Sequence, residues 1–451
     1  EGAEAATAAR TYTYDKAGRM TSASAGAAAN TFSYDERGQL LSAAGASGNS
    51  SFNYAADGQL ISRSDASGLT QYGYDGAGRL ATIADPATGT TATLSYRSLN
   101  LVDSVSYGIG KDKRSYTYDS LHRLTNDVLK DSSGTVVASI AYGYDTGNNI
   151  TTKATTGFAG ATTNTYTYDL ANRLTSWDNG TSTTDYRYDA SGNRTGAGST
   201  TYTYDARNEL LGDGAKTYSY TARGTQSKVS QGLANSTVSF DAYGQVISQG
   251  DTGYTYDALG RLATATTGTQ TTALSYSGTA NTLANDGTST YTHDPSDGLF
   301  AVGSATAGAQ TPLVAWTDQH DDVVAQFSST SATLDKSVAY DPWGNLTTAA
   351  SLLGSLGFQS GWTDPASGRV NMLSRWYDPS EGQFTSRDRV GLSPVPASVA
   401  ANRFAYVDDN PMAGTDPTGE CSWWDVVCGA SSAVHAASSA WHSATSFVSH
   451  A

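Results

Sequence analysis

The clearest pattern in the chain is a pair of aromatic residues that are separated by one polar residue and followed by Asp. The first copy reads YTYDKAGRM from Tyr12, and the next three begin 20, 40 and 60 residues further on, at Phe32, Phe52 and Tyr72. The clearest later copies read YTYDSLHRL from Tyr116, YTYDLANRL from Tyr166, YTYDARNEL from Tyr202 and YTYDALGRL from Tyr254. The chain therefore contains an internal repeat.

Each copy of the repeat predicts a β-hairpin. Side chains alternate between the two faces of a strand, so aromatic residues at positions i and i+2 share one face, which we expect to be buried. Asp followed by Gly three residues later is typical of a type I turn. Three copies replace that Gly with Asn172, Asn208 and His122, residue types that tolerate a positive φ. Strand, turn and returning strand are thus predicted in every copy.

The hairpins are expected to stack, because a single hairpin of this size is not stable in water. Tyr and Thr favour strands, and the 47 Gly residues supply turns. The predicted fold class is all-β, with antiparallel β-hairpins stacked in a spiral that forms a hollow shell.

Three other repeat architectures fit parts of this pattern. A calcium-binding β-helix requires GGxGxD runs, and the chain has none. Repeats that bind choline or glucans usually carry a Trp in each unit, whereas Trp177 is the only Trp before residue 316. A β-propeller has a period of about 40 to 50 residues. Pairs of 20-residue units imitate that period, so this alternative stays open.

Charge and hydropathy exclude some functions. The formal net charge is −15 at pH 7 without any Lys/Arg-rich run, which does not suit contact with nucleic-acid phosphates. No apolar run is long enough to predict a transmembrane segment. The chain starts with EGAEAATAAR, and we interpret it as an interior part of a longer protein. Cys421 and Cys428 are the only cysteines, which is compatible with export, and their redox state stays open.

The array of Tyr-Asp copies resembles the repeats of the Rhs/YD-repeat proteins. That family includes the C components of insecticidal toxin complexes and the shells of animal teneurins. The resemblance covers about residues 10 to 420. It implies a β-shell that encapsulates another polypeptide, here an effector that follows the shell along the chain.

A different pattern begins after residue 300, since seven of the eight Trp residues lie at Trp316 or later. The segments GFQSGWTDPASGRVNMLSRWYDPSEGQFTSRDRVG from Gly357 and NRFAYVDDNPMAGTDPTGE from Asn402 are similar to the Rhs-associated core. In that core the elements Arg-Tyr-Tyr-Asp-Pro, Ser-x-Asp-Pro and Asp-Pro-x-Gly-Leu follow one another. The resemblance implies a self-cleaving aspartyl peptidase that acts once in cis, just after the last element.

The resemblance also implies the residues of this peptidase. Asp364 and Asp388 occupy the positions of the paired catalytic carboxylates, Arg387 that of a neighbouring arginine, and the scissile bond is Glu420–Cys421. Two carboxylates that share a site do not both ionise readily, so one serves as base and the other as acid. Because the substrate strand is tethered, one slow turnover is enough.

Two positions depart from the family pattern. Arg389 follows Asp388 where the family has Pro, and Glu420 precedes the cut where Leu is usual. Asp before Pro is also a common turn device, because Asp caps its own backbone and Pro fixes φ. This dipeptide occurs at Asp85, Asp294, Asp341, Asp364, Asp378 and Asp416. Without the resemblance, each of these aspartates would be assigned to a turn.

We expect three segments along the chain. Residues 1–310 form the YD-repeat β-shell, residues 311–420 the Rhs-associated core that acts as plug and self-cleavage module, and residues 421–451 the start of a variable effector region. Apolar residues at helical spacing after Val434 predict a short amphipathic helix, on which His435 and His442 face solvent. No cofactor or metal site is predicted, because no motif for one occurs.

The function predicted from these patterns is that of a bacterial polymorphic-toxin carrier, secreted or at the cell surface, used in bacterial competition. Its partners are its own enclosed C-terminal effector, secretion or delivery proteins and cell-surface targets, with nucleic acid excluded for this segment. The alternative is an extracellular adhesion or glycan-recognition module, in which the core is a structural plug without proteolytic activity.

Overall fold

A computed structural model describes residues 7–330, 333–389 and 398–420 of the chain. Within these residues the regular elements are β-strands and four short 3-10 helices, and none of the described residues lies in an α-helix. Every paired strand runs antiparallel to the strand that follows it in the chain, within four sheets. The all-β, antiparallel fold class predicted from the repeat is confirmed.

The first sheet contains 19 strands. Its first ten strands are β1 (Arg10–Tyr14), β2 (Met20–Ala25), β3 (Ala28–Tyr34), β4 (Leu40–Gly45), β5 (Ser50–Tyr54), β6 (Leu60–Asp65), β7 (Gly68–Tyr74), β8 (Leu80–Ala84), β9 (Thr91–Tyr96) and β10 (Val102–Ser106). The other nine are β11 (Lys113–Tyr118), β12 (Leu124–Lys130), β13 (Val136–Tyr144), β14 (Ile150–Thr156), β15 (Thr163–Tyr168), β16 (Leu174–Asp178), β17 (Thr183–Tyr188), β18 (Arg194–Ala197) and β19 (Thr200–Thr201).

The remaining strands form three smaller sheets. The second sheet contains β20 (Thr203–Tyr204), β21 (Leu210–Gly212), β22 (Thr217–Tyr220), β23 (Gln226–Gln231), β24 (Ala234–Phe240), β25 (Val246–Gln249), β26 (Thr252–Tyr256), β27 (Leu262–Thr267) and β28 (Gln270–Ala273). The third contains β29 (Ser275–Tyr276), β30 (Leu283–Asn285), β31 (Ser289–His293), β32 (Leu299–Ser304), β33 (Leu313–Thr317), β34 (Val323–Phe327) and β35 (Lys336–Ser337). The fourth contains β36 (Trp362–Thr363), β37 (Val370–Met372), β38 (Arg375–Asp378) and β39 (Gln383–Phe384). The 3-10 helices are Ser98–Asn100, Phe358–Ser360, Ser398–Ala401 and Val407–Asp409.

The turn of each repeat has the predicted geometry. In the copy from Tyr116, the His122 backbone N–H donates to the Asp119 carbonyl at 3.0 Å, and Asp119 Oδ1 accepts from the backbone N–H of Arg123 at 2.9 Å. His122, Asn172 and Asn208, which replace the turn glycine, have φ of 64°, 62° and 64°. The aspartate of the phrase therefore organises the turn, as predicted.

The two aromatic residues of a repeat have different roles. The first lies in the core, as Tyr116 and Tyr166 do, except for the exposed Tyr12 of the first copy. The second is only partly covered in several copies, and its hydroxyl donates to a backbone carbonyl of the preceding repeat. The residue pairs are Tyr54–Leu40, Tyr74–Leu60, Tyr96–Leu80, Tyr118–Val102, Tyr144–Leu124, Tyr168–Ile150, Tyr188–Leu174, Tyr204–Arg194, Tyr256–Val246 and Tyr276–Leu262. We call this series the tyrosine ladder.

The arginine of the phrase connects its own turn to the next repeat. Arg123 Nε contacts Asp119 Oδ2 at 2.7 Å, and its Nη1 donates to the Asp145 carbonyl of the following repeat at 3.0 Å. Its guanidinium also lies 4.5 Å from the centre of the Tyr144 ring, which adds a cation–π contact. Successive repeats are thus joined through side chains as well as through backbone pairing.

The chain coils so that later strands lie beside earlier ones. Tyr72 donates its hydroxyl proton to the His293 carbonyl at 2.7 Å, and Arg63 forms an ion pair with Asp297 at 2.7 Å. The Ser47 hydroxyl, nearer the start of the chain, donates to Asp257 at 2.8 Å. Residues about 210 to 235 positions apart therefore meet, as expected for a stack that spirals.

The first sheet shares one hydrophobic core with the residues that follow position 300. Trp316 is fully buried, and its Nε1 donates to Asp127 of the first sheet at 2.8 Å. Tyr186 packs on Trp343 with ring centres 5.9 Å apart. The boundary predicted near residue 310 falls between β32 and β33, which pair in the same sheet. The three-segment division stays a prediction.

Candidate functional site

Asp388 lies four residues after the end of the last strand of the fourth sheet and is buried. Its backbone N–H donates to the Arg403 carbonyl at 2.9 Å, which joins this segment to the chain that leads to the C-terminal end. Asp388 lines a cavity of about 330 Å³. The cavity is lined by Ala222, Arg223, Thr225, Gly244, Ser374, Arg375, Ser386, Arg387, Asp388, Arg389, Arg403 and Glu420. Repeat residues and core residues thus enclose one space.

Arg375 connects two carboxylates at this cavity. It lies at the start of β38, and its Nη2 contacts Asp388 Oδ2 at 3.0 Å and Asp416 Oδ2 at 3.4 Å. The guanidinium stacks 3.6 Å above the centre of the buried Phe384 ring, which orients it. All three charged side chains are buried. Two carboxylates therefore share a single nitrogen.

The electrostatics of this group follow from its burial. Burial lowers the pKa of Arg375, and Asp388, Asp416 and Glu420 act in the opposite direction. Four further arginines, Arg223, Arg387, Arg389 and Arg403, line the same cavity, so Arg375 is not the only cation near the two carboxylates.

The chain segment before the predicted cut is bound to the same arginine. Arg375 Nε donates to the Gly419 carbonyl, and the Ser374 backbone N–H donates to the Thr418 carbonyl at 3.1 Å. Gly419 has a φ of 66°, and a Cβ at this position would lie 2.4 Å from the Met372 carbonyl oxygen. Only glycine permits this close approach. The predicted scissile bond thus lies one residue beyond a fixed backbone position.

A buried histidine holds the segment that carries Asp416. His320 Nε2 bonds to the Gly414 carbonyl at 2.7 Å, while its Nδ1 contacts Asp322 at 3.1 Å. Burial works against the imidazolium, but Asp322, Asp318 and the Gly414 carbonyl together outweigh it and raise the pKa of His320. Gln359 accepts from the Asp416 backbone N–H at 3.3 Å. The path of residues 414–416 is therefore set from two sides.

The predicted site residues fall into two groups. Arg387 is exposed and lines the cavity together with Asp388 and Glu420. Asp364 does not line it. Its Oδ2 accepts from the Tyr254 hydroxyl at 2.8 Å and from the Ser367 hydroxyl at 2.6 Å, as part of a turn. Cys421 lies outside the described residues, as do Cys428, His435, His442 and the predicted helix.

Arg375 and Asp416 are the members of the site that were not assigned from the sequence. Both lie inside the motif that resembles the Rhs-associated core, Arg375 in the segment SRWYDP and Asp416 in TDPTGE. Asp416 belongs to one of six Asp-Pro dipeptides, which have the same local sequence pattern. Its proximity to the predicted cut was the one signal that distinguished it from the other five.

Two further features of the described residues bear on function. No helix among residues 7–330, 333–389 and 398–420 has the length and apolar character needed to cross a membrane. In the same ranges, no group of three or more His, Cys, Asp or Glu side chains is arranged to hold a metal ion.

The fold is similar to two solved structures. The crystal structure of TcdB2-TccC3-Cdc42 superposes with a TM-score of 0.67 and 17% identity, over 92% of this chain and 25% of that chain. TcdB2-TccC3 without its hypervariable C-terminal region gives a TM-score of 0.66 and 16% identity, over 92% of this chain and 25% of that one. This chain therefore corresponds to about a quarter of either structure's length.

Two curated Bacillus proteins are similar in sequence over a shorter stretch. The tRNA nuclease WapA of Bacillus subtilis strain 168 is 34% identical over 121 residues, which is 24% of this chain and 5% of that protein. The tRNA3(Ser)-specific nuclease WapA of Bacillus spizizenii is 35% identical over 121 residues, with 24% and 5% coverage. The chain spans about one twentieth of the length of these relatives.

Two family models match the chain. The model described as RHS Repeat matches residues 54–91, and the model described as Teneurin YD-shell matches residues 111–411. The second match covers well over half of the chain and includes Arg375 and Asp388. The resemblance to Rhs/YD-repeat proteins is confirmed, and the chain belongs to the Teneurin YD-shell family.

Proposed function

We propose that this chain is the closing part of a YD-repeat shell that cuts its own backbone between Glu420 and Cys421. The observation that carries the proposal is the position of Arg375, which contacts Asp388, Asp416 and the Gly419 carbonyl at once. Asp388 and Asp416 are the paired carboxylates of this proposal. Asp364, which the resemblance pairs with Asp388, instead serves a turn.

The arrangement suits hydrolysis of a peptide bond by two carboxylates. One ionised carboxylate takes a proton from water while the water oxygen forms a bond to the Glu420 carbonyl carbon. The other carboxylate, protonated, gives its proton to the departing nitrogen of Cys421 as the C–N bond breaks. The products are a new carboxyl group on Glu420 and a new amino group on Cys421. The mechanism requires that the two carboxylates hold a single proton between them.

Tethering removes the need for strong substrate binding. The Gly419 carbonyl is held by Arg375, and Glu420 lines the cavity that Asp388 also lines. Orientation of reacting groups within one chain gives effective concentrations far above those of separate molecules. One turnover per chain releases the product strand, so the site needs neither an open substrate cleft nor product exchange.

The shell itself supports a role as carrier. The core that follows residue 300 packs against the inner face of the first sheet, as a plug would. TcdB2-TccC3, which the fold resembles, carries a hypervariable C-terminal region. By analogy, the residues from Cys421 onward begin an effector that the complete shell of a longer protein encloses. We place this carrier outside the bacterial cell or on its surface.

The proposed cleavage predicts different outcomes for three aspartates. The chain of residues 1–451 carries a tag at each end and is followed on a denaturing gel. The unchanged chain separates into two tagged fragments. The cleavage rates of D388N and D416N are lower by at least about 100-fold, because each variant lacks one of the two carboxyl groups that transfer protons. D364N is the control, and its cleavage rate is close to that of the unchanged chain. Mass spectrometry of its C-terminal fragment identifies Cys421 as the new N-terminus.

Two results contradict the proposal. If D364N blocks the cut and D416N does not, the resemblance identifies the pair correctly and the geometry around Arg375 is structural. If all chains stay intact, the core is a plug without proteolytic activity. In that case a glycan-binding assay tests the adhesion module as the remaining function.

A further inference from the structure

Arg389 and Glu420 form an ion pair at the cavity that holds Asp388. Arg389 Nη2 contacts Glu420 Oε1 at 2.8 Å, with the two side chains 56% and 34% exposed. Arg389 Nη1 also donates to the Tyr243 carbonyl at 2.6 Å, and this hydrogen bond to a turn of the repeats orients the guanidinium. The pair therefore sits at the rim of the cavity, where solvent reaches it.

The position of this pair along the chain relates it to the proposed cut. Arg389 follows Asp388 directly, and Glu420 follows Gly419, whose carbonyl is bound by Arg375. The residue before the scissile bond is thus held twice, at the backbone carbonyl before it and at its own carboxylate. One anchor on the preceding peptide group and one on the side chain restrict rotation about the N–Cα bond of Glu420 and so hold its carbonyl carbon in place.

The two partners are also the two positions at which the sequence departs from the family pattern. Pro at position 389 would remove the cation that contacts the Glu420 carboxylate, and Leu at position 420 would remove the carboxylate that contacts Arg389. Neither departure alone would form an ion pair, whereas Arg389 and Glu420 together form one. This pairing accounts for a carboxylate in a place where an apolar side chain is usual.

We infer that Arg389 is a specificity-determining residue that selects an acidic side chain at the position before the cut. The inference rests on the proposed self-cleavage and adds the substrate class, a peptide bond that follows Glu or Asp. Arg389 acts on the substrate residue and not on the reacting atoms. It therefore changes the rate through the placement of Glu420.

A double-mutant cycle on the cleavage rate tests this inference. The chain with a C-terminal tag is made by cell-free synthesis, labelled in a short pulse and sampled during a chase, which gives a first-order rate. R389Q and E420Q each slow the cut about threefold, within the range of an exposed ion pair. The double variant is no slower than either single one, because the contact is already lost. R37Q, another exposed arginine that bonds a backbone carbonyl, keeps the unchanged rate.

Charge reversal gives the second arm of the test. R389E slows the cut by about tenfold or more through like-charge repulsion, and R389E/E420R returns to within about threefold of the unchanged chain. The inference fails if the single variants are cut at the unchanged rate, or if the two single effects multiply in the double variant. An unchanged chain that stays intact throughout the chase would overturn the proposed function, and the inference with it.

Discussion

Glu381 is an ionisable residue whose environment predicts a pH dependence. It is buried, and burial together with the neighbouring Asp378 raises its pKa to about 8, against the opposing effects of Arg369 and Gln226. Its ordinary pKa is near 4.5. The folded protein therefore keeps a proton on Glu381 at pH values where the unfolded chain has released it. Stability falls as the pH rises from about 4.5 to 8.

We predict that E381Q removes this loss. Glutamine has the same shape and stays neutral. At pH 8 the free energy of unfolding of the variant is therefore higher than that of the unchanged chain by about 2 kcal/mol or more, and the variant melts at a higher temperature. At pH 4.5 the two chains differ little. Melting curves at half-unit pH steps measure this, with the exposed Glu36→Gln as control. Parallel pH profiles for E381Q and the unchanged chain would contradict the assignment.

Single residues also mark the limit of prediction from sequence. Asp388 and Glu420 were predicted from a motif and lie at one cavity, whereas Arg375 and Asp416 became visible only in the folded chain. The contact between them joins positions 41 residues apart, and it depends on how the segment after position 398 folds back onto β38. The local sequence predicts the turn at each Asp-Pro dipeptide, but it does not predict which of those turns lie close together in the folded chain.

The hairpin is the unit in which the sequence predicts structure most completely. Asp, the positive-φ residue and the alternating aromatics act within nine residues, so their roles follow from local geometry. The tyrosine ladder depends on the neighbouring repeat and was not anticipated. It crosses the first two of the three sheet breaks, since Tyr204 reaches Arg194 and Tyr276 reaches Leu262. At these two breaks the ladder adds side-chain hydrogen bonds to single backbone ones, from Tyr202 to Thr195 and from Leu274 to Ala263.

We predict that one ladder hydroxyl contributes measurably to stability. Y168F leaves the Ile150 carbonyl, which accepts at 2.7 Å, without its donor and lowers the free energy of unfolding by about 1 kcal/mol. Y14F changes the exposed tyrosine of the first strand and has a much smaller effect. Chemical denaturation of both variants measures the difference. Equal effects would show that the ladder hydrogen bonds add nothing beyond packing.

At the scale of the whole molecule, the repeats and the C-terminal core depend on each other. Buried residues of the first sheet such as Ile140 and Tyr166 belong to the same hydrophobic core as Trp316 and Phe384. The buried pair of Arg114 and Asp127 also needs Trp316, whose indole completes the hydrogen bonds of the carboxylate. Without the core segment, an apolar sheet face and a buried charge would meet water.

We predict that a chain ending at residue 310 does not fold as an independent unit. It binds a hydrophobic dye strongly and melts without a cooperative transition, because the first sheet loses the side chains that cover it. The chain of residues 1–420 serves as the matched control and unfolds in one transition. A cooperative transition at the same temperature in both chains would support residues 1–310 as a separate domain.

The cavity at Asp388 has a consequence for timing. Four of its twelve lining residues, among them Arg223 and Gly244, come from the repeats, and the Tyr243 carbonyl accepts a hydrogen bond from Arg389. This part of the site is synthesised at least 130 residues before the rest. Within each sheet every strand pairs with the next one in the chain, so the stack can grow as the polypeptide emerges. The carboxylates meet Glu420 only when the last segment has docked. The proposed cleavage therefore begins only after the shell has folded, and in an incompletely folded carrier the effector stays covalently attached.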